Sequence, residues 1–137
     1  MKKLNIFHDS QVLITGHTGF KGSWLTLLLL ELKANITGIS KNIPTEPSNF
    51  KVLDLYNKIK HFEQDVSNTN ELYKIINNTQ PDFIFHLAAQ PLVRRSLEEP
   101  WETWRSNTLG TISLLEGIKK LNKDCIVVFI TSDKVYK

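Results

Sequence analysis

Cysteine is nearly missing: Cys125 stands alone among 137 residues. No disulfide can close within one chain, and a reducing, cytoplasmic setting is expected. Cys125 opens the apolar run Cys125-Ile126-Val127-Val128-Phe129-Ile130, so a small buried hydrophobe is expected there rather than a nucleophile. Long hydrophobic runs are missing too. The densest stretch, Trp24 to Leu32, is interrupted by Thr26 and Glu31. It is well short of the ~20 residues that cross a bilayer and is expected to be a helix buried on most sides. The start, Met1-Lys2-Lys3, is basic but has no apolar core of signal-peptide length behind it, so no membrane partner is expected. Charge is not concentrated in one sign. Lysine and arginine total 17 against 14 acids, a net of +3, and the lysines are scattered. No basic stripe interleaves with aromatics, which argues against a nucleic-acid partner. His8, His17 and His61 are not spaced as a metal site, and no metal is expected. His86 ends an apolar run and is expected to be a core histidine with its polar atoms satisfied.

What is present is an ordinary globular balance, 41% hydrophobic and 23% charged, at a length suited to one domain. Short apolar runs alternate with helical stretches. Strands are predicted at 11–15, 35–40, 59–64, 82–87 and 126–131. Helices are predicted at 21–32, from a Ser67 or Asn68 cap to Asn77, and at 100–121, with a short helical piece at 52–58. Pro44 and Pro47 mark 41–51 as a loop, and Gln80-Pro81 ends a helix. In the long helix Trp101, Trp104, Thr108, Ile112, Leu115 and Ile118 recur at three- and four-residue steps, which makes one apolar face. Strand–helix alternation predicts an α/β fold with a mainly parallel sheet, buried on both faces. Ligands bind beyond the carboxyl ends of such strands, where strand order reverses.

After the first predicted strand comes Thr15-Gly16-His17-Thr18-Gly19-Phe20-Lys21-Gly22-Ser23, leading straight into a helix. In this spacing Gly16 allows the tight turn, Gly19 lets backbone approach a pyrophosphate, and Gly22 lets the helix pack against the sheet. A nucleoside-triphosphate loop would need Gly-Lys-Ser/Thr, and the order here is Lys21-Gly22-Ser23. An acid usually follows the second strand to hold the adenosine ribose. Here Ser40-Lys41-Asn42 stands instead. Lys41 either faces a 2′-phosphate or is a solvated loop lysine. Asp65, with Val66 beside it, either meets the adenine or caps a helix.

These residues carry a resemblance. Thr15-Gly16-x-x-Gly19-x-x-Gly22, Asp65-Val66, His86-Leu87-Ala88-Ala89 and Asn107-x-x-Gly110-Thr111 resemble the extended short-chain dehydrogenases/reductases. Gly16 to Leu25, the string Gln90-Pro91-Leu92-Val93-Arg94-Arg95-Ser96 and Thr131-Ser132-Asp133-Lys134 resemble the branch that dehydrates CDP-glucose. The resemblance implies a Rossmann-like doubly wound sheet of about five strands. It also implies a nucleotide-sugar substrate, NAD as cofactor with NADP still open, and a homodimer paired through long helices such as 100–121. The reaction implied is oxidation at C4 of the glucose unit, loss of water across C5–C6, and reduction at C6. Ser132 would hydrogen-bond the C4 oxygen and Asp133 would protonate the leaving hydroxyl. Lys134 would act as a neutral base or as a cation beside the enolate. The cofactor set comprises Gly16, Thr18, Gly19, Phe20, Gly22, Ser40, Lys41, Asp65, Val66, Leu87, Ala88, Ala89, Gln90 and Asn107. Small residues after the fourth strand would let the cofactor lie close, and Asn107 would help hold a relay water. Arg94 and Arg95 either meet substrate phosphates or pair with Glu98 and Glu99.

The resemblance places a catalytic Tyr-x-x-x-Lys pair roughly 20–30 residues after the Ser132-Asp133 turn, and these residues do not reach it: Tyr136 and Lys137 are adjacent, and Tyr73-Lys74 lies in another element. The expectation is therefore the amino-terminal part of such an enzyme, with its last strands and sugar-binding lobe absent, inactive alone. The other readings are a nucleotide-sugar epimerase or other dehydratase, and a non-catalytic dinucleotide-binding remnant.

Overall fold

A computed structural model describes residues 2–131, with side chains from residue 5 onward. After a 3₁₀ segment at Lys2–Phe7 the chain runs β1 (Gln11–Thr15), α1 (Phe20–Glu31), β2 (Asn35–Ser40) and α2 (Asn49–Val52). A 3₁₀ turn at Leu55–Asn57 leads to β3 (Lys60–Glu63) and α3 (Thr69–Thr79), then β4 (Phe83–His86), α4 (Val93–Glu98) and α5 (Pro100–Trp104). A π-helical turn at Arg105–Leu109 joins α5 to α6 (Gly110–Ile118), and β5 (Ile126–Phe129) follows. The sheet order is β3-β2-β1-β4-β5. All four pairings are parallel, with Val12 opposite Ile36 on one side and Phe83 on the other. This is the expected Rossmann-like doubly wound sheet, and strand order reverses between β1 and β4.

Period-two alternation puts the core on both faces of β1. Leu13 joins Ile39, Ile84, Leu72, Ile76 and Leu114 under α3 and α6. Val12 and Ile14 join Leu29, Ala34 and Ile36 under α1. Val12, Leu13 and Ile14 have no exposed surface, so each contributes roughly the 1.5–3 kcal/mol of a fully buried aliphatic.

Four expectations change. α1 is not buried on most sides: Gly22, Ser23, Thr26 and Leu29 face inward, while Phe20, Trp24 and Leu28 are exposed. The 100–121 helix is interrupted by the π turn and ends at Ile118. Most of its apolar stripe points outward, and of the predicted stripe Ile118 packs against the α3–α6 core. Trp101, Trp104, Ile112 and Leu115 are exposed, and the inward face of α6 is Gly110, Ser113, Leu114 and Gly117. Small residues are needed there because α6 lies hard against α3: a Cβ on Gly117 would stand 2.7 Å from Ile76 Cδ1, and one on Gly110 2.6 Å from Val66 Cγ2. Third, α4 was not expected; it forms from Val93 to Glu98 with no buried residue. Fourth, among the described residues β5 is covered on one face only. Val127 and Phe129 pack on the α3–α6 core, whereas Ile126 and Val128 are exposed. Cys125 is half-buried, and burial pushes its thiol pKa up, which keeps it protonated and unreactive.

Candidate cofactor site

The glycine loop, Ser40, Lys41, Asp65 and the Leu87–Gln90 segment all follow the carboxyl ends of their strands. Gly16 leaves β1 with φ +74 and lies against the chain leaving β4: a Cβ there would sit 2.7 Å from the Ala88 nitrogen. Gly22, in the first turn of α1, packs against the same loop: a Cβ there would come 2.2 Å from the Gly16 carbonyl oxygen. Both glycines are therefore demanded by the chain itself. Gly19 is not. Its φ of −73 suits any residue. Its Cβ would find only the Gly16 oxygen, at 3.4 Å. Gly19 precedes α1, and no side chain caps that helix, so its first-turn amides face outward with the positive end of the dipole. A bare backbone at an open helix start fits a pyrophosphate.

Beneath the loop lies a polar cluster. His17 is fully buried; its Nδ1 meets Ser40 Oγ at 3.1 Å and its Nε2 meets His61 Nδ1 at 2.8 Å. Burial, and then the neighbouring His61, lower the His17 pKa to about 4; burial also lowers His61, against the pull of Glu63. His17 leaves no room for a side chain at Gly38, where a Cβ would stand 2.5 Å from its ring. Ser40 also accepts from the Thr18 amide at 3.3 Å, and Thr18 Oγ1 donates to the Asn42 carbonyl at 2.7 Å. Ser40 and Thr18 thus fasten the glycine loop to the end of β2, with their side chains turned into the protein. Phe20 stands exposed at the first position of α1.

Across the switch point a second network holds the segment after β4. Thr15 Oγ1 accepts from the Ala88 amide at 3.2 Å and meets His86 Nδ1 at 2.7 Å; His86 Nε2 meets Thr111 Oγ1 at 3.3 Å. Thr111 donates to the Asn107 carbonyl at 2.7 Å, so donor counting places the His86 proton on Nε2 and has Thr15 donate to Nδ1. Burial lowers the His86 pKa to about 4, so it is neutral at pH 7. Asn107 holds Gln90 by both backbone atoms: its Oδ1 accepts from the Gln90 amide at 2.7 Å and its Nδ2 donates to the Gln90 carbonyl at 3.2 Å. The Gln90 side chain braces Leu92 and Thr103 in turn. Leu87 and Ala88 are half-buried and Ala89 is exposed. The π turn presents Asn107 to this segment, as such turns commonly do near functional sites.

The adenosine side differs from the simplest expectation. Val66 is buried in the α3–α6 core. Asp65 does not cap α3; Asn68 does, accepting from the Glu71 amide. Asp65 Oδ1 instead accepts from the Ser67 amide at 2.9 Å and hydroxyl at 2.8 Å, and Oδ2 lies 3.3 Å from Arg105 and 3.5 Å from Lys41. Burial pushes the Asp65 pKa up, but Ser67, Arg105 and Lys41 together hold it below the usual carboxylate value. Arg94 and Arg95 form the surface pairs with Glu98 and Glu99, at 2.9 and 3.1 Å along α4. Ser132, Asp133 and Lys134 lie outside the described residues. Among the described residues no three His, Cys, Asp or Glu side chains form a metal cluster, and no helix is long and apolar enough to cross a membrane.

This geometry is that of a dinucleotide fold, and comparison with known proteins decides the family. The model of the GDP-mannose 4,6-dehydratases matches residues 13–136. The chain belongs to this family. It is 43% identical over 132 residues to a CDP-glucose 4,6-dehydratase of Salmonella typhimurium, covering 96% of this chain and 37% of that one. Two solved structures share the fold. One is a Thermotoga maritima UDP-glucose 4-epimerase with UDP-glucose, with a TM-score of 0.75 at 28% identity, covering 86% of this chain and 36% of that one. The other is a Thermus thermophilus UDP-glucose 4-epimerase in complex with NAD, with a TM-score of 0.71 at 25% identity, covering 80% and 34%. The chain thus spans little more than a third of these relatives' lengths.

Proposed function

We propose that these residues form the NAD-binding part of a nucleotide-sugar 4,6-dehydratase whose substrate is CDP-glucose. Gly19 carries the dinucleotide part of this reading: it is a glycine at an uncapped helix start that neither φ nor packing within the chain requires. The CDP-glucose assignment is supported by the 43% identity to the Salmonella enzyme. When bound, the nicotinamide supplies the means of accepting and returning a hydride. The chain's own residues bind and orient. The uncapped amides at the start of α1 would hold the pyrophosphate. The Asn107 clamp and the neutral His86 relay hold Ala88–Gln90 in place. Ser132 would hydrogen-bond the C4 oxygen, and Asp133 would protonate the departing 6-hydroxyl. Lys134 would serve the C5 proton as base or the enolate as cation. No Tyr-x-x-x-Lys pair follows Ser132-Asp133 within the 137 residues, and Tyr56 and Lys60, which have that spacing, lie just before and at the start of β3, so alone these residues are expected to bind NAD without forming a 4-keto sugar. The test is a calorimetric NAD⁺ titration of this chain and its Gly19→Val variant, with a 4-keto-sugar assay alongside. NAD⁺ binding by the chain and its loss in the variant support the reading. Equal affinity in both would overturn it, and sugar turnover by the chain alone would overturn the assignment of inactivity.

A further inference from the structure

The residue just past β2 normally sets the choice between the two nicotinamide dinucleotides, an acid holding the ribose diol and a base accepting a 2′-phosphate. In this chain that residue is Lys41, which by itself favours the phosphate. The fold cancels it. Lys41 Nζ donates to Glu102 Oε1 at 2.5 Å and lies 3.5 Å from Asp65 Oδ2. Both acids are better shielded than the lysine, at 26% and 17% side-chain exposure against 52%. Arg105, which shares Asp65 with Lys41, also donates to Ser67 Oγ at 3.0 Å. A cavity of about 570 Å³ opens here, lined by Lys41, Arg95, Glu98, Glu99, Trp101 and Glu102. Its three acids outnumber its two bases, and Arg95 is already paired with Glu99.

We infer that Glu102, reaching from α5 to the end of β2, is the residue that makes this site select NAD over NADP. It does so by tying down Lys41 and by opposing a 2′-phosphate with its own charge. This rests on the dinucleotide reading of the glycine loop. A neutral ribose diol meets no repulsion there and finds carboxylate acceptors. A phosphate dianion meets three carboxylates with no free cation among the lining groups.

The test is titration of the full chain with NAD⁺ and with NADP⁺, read as the ratio of the two dissociation constants. The wild type is expected to prefer NAD⁺. Glu102→Gln removes the charge while keeping the shape and frees Lys41, so the ratio should shift toward NADP⁺ by about tenfold, less at high salt. Adding Lys41→Met to that variant should cancel most of the shift. An unmoved ratio in Glu102→Gln, including equal losses for both dinucleotides, overturns the inference, as does a shift that survives Lys41→Met undiminished. A wild type that binds neither dinucleotide overturns the loop reading itself. NAD⁺ binding with an unmoved ratio overturns only the role of Glu102.

Discussion

The three glycines of the loop and the first turn of α1 do different work, and substitution separates them. At Gly22 an added Cβ meets the Gly16 carbonyl at 2.2 Å, so Gly22→Ala should cost about 3 kcal/mol of stability, read from urea unfolding. At Gly19 the nearest atom is at 3.4 Å and φ is ordinary, so Gly19→Val should unfold at nearly the wild-type urea concentration yet bind NAD⁺ about a hundredfold more weakly. Destabilisation of the Gly19 variant comparable to that of Gly22→Ala would mean the glycine serves the fold. The buried histidines make a second residue-level prediction. His17 and His86 are held near pKa 4, against about 6.5 when unfolded, so the unfolded chain takes up protons first as pH falls. Their contribution is intact above about pH 6.5 and is lost between there and about 4, at up to about 1.4 kcal/mol per pH unit for each. Asp65 and Asp82, whose pKa values are lowered, lose their contributions at lower pH still. Urea midpoints from pH 7.5 to 4.5 check this; a flat profile above pH 5 would remove the neutral His86 from the relay.

At the scale of elements, the π turn is held in use by Asn107. Asn107→Ala removes both bonds to the Gln90 backbone and should cost about 2 kcal/mol while speeding hydrogen exchange at the Gln90 amide. Asn107→Asp keeps the acceptor and should retain protection of that amide. Exchange unchanged in Asn107→Ala would show the segment is held by other contacts. Much of the fold was legible in the sequence because its signals are local. The β1 run, the glycine spacing and the Gln80-Pro81 stop each lie within a few residues, and β1 and β2 match their predicted bounds. The misreadings share a cause. Periodicity in 100–121 reveals an apolar stripe but not which way it faces, and here close packing on α3 turned Gly110, Ser113 and Gly117 inward instead. The site was legible to the same extent. The glycine loop announces itself, whereas Glu102 stands 61 residues from Lys41 and His61 stands 44 from His17, and no spacing rule joins such pairs.

For the whole molecule, the question is what covers the apolar surface that folding leaves open. Two candidates are on the outside. One is the stripe along α5 and α6, with Trp101 at 72% exposure and Trp104, Ile112 and Leu115 exposed as well. The other is the open face of β5, Ile126 and Val128. Contiguous exposed apolar patches mark interaction surfaces, and the two predict different assemblies. A helical stripe suits a closed, two-fold pair in which each copy offers the same face, whereas β5 is also the end strand of the described sheet, and an open face beside an exposed edge invites open-ended association. The family resemblance favours helix pairing. Sedimentation velocity of the chain should therefore show a dimer. Ile112→Glu combined with Leu115→Glu should weaken it at least about tenfold with no loss of thermal stability, because neither side chain belongs to the core. Val128→Lys on β5 serves as the contrast and should leave the dimer intact. Dissociation by Val128→Lys alone would transfer the interface to the sheet edge and leave the α5–α6 stripe without a self-association role.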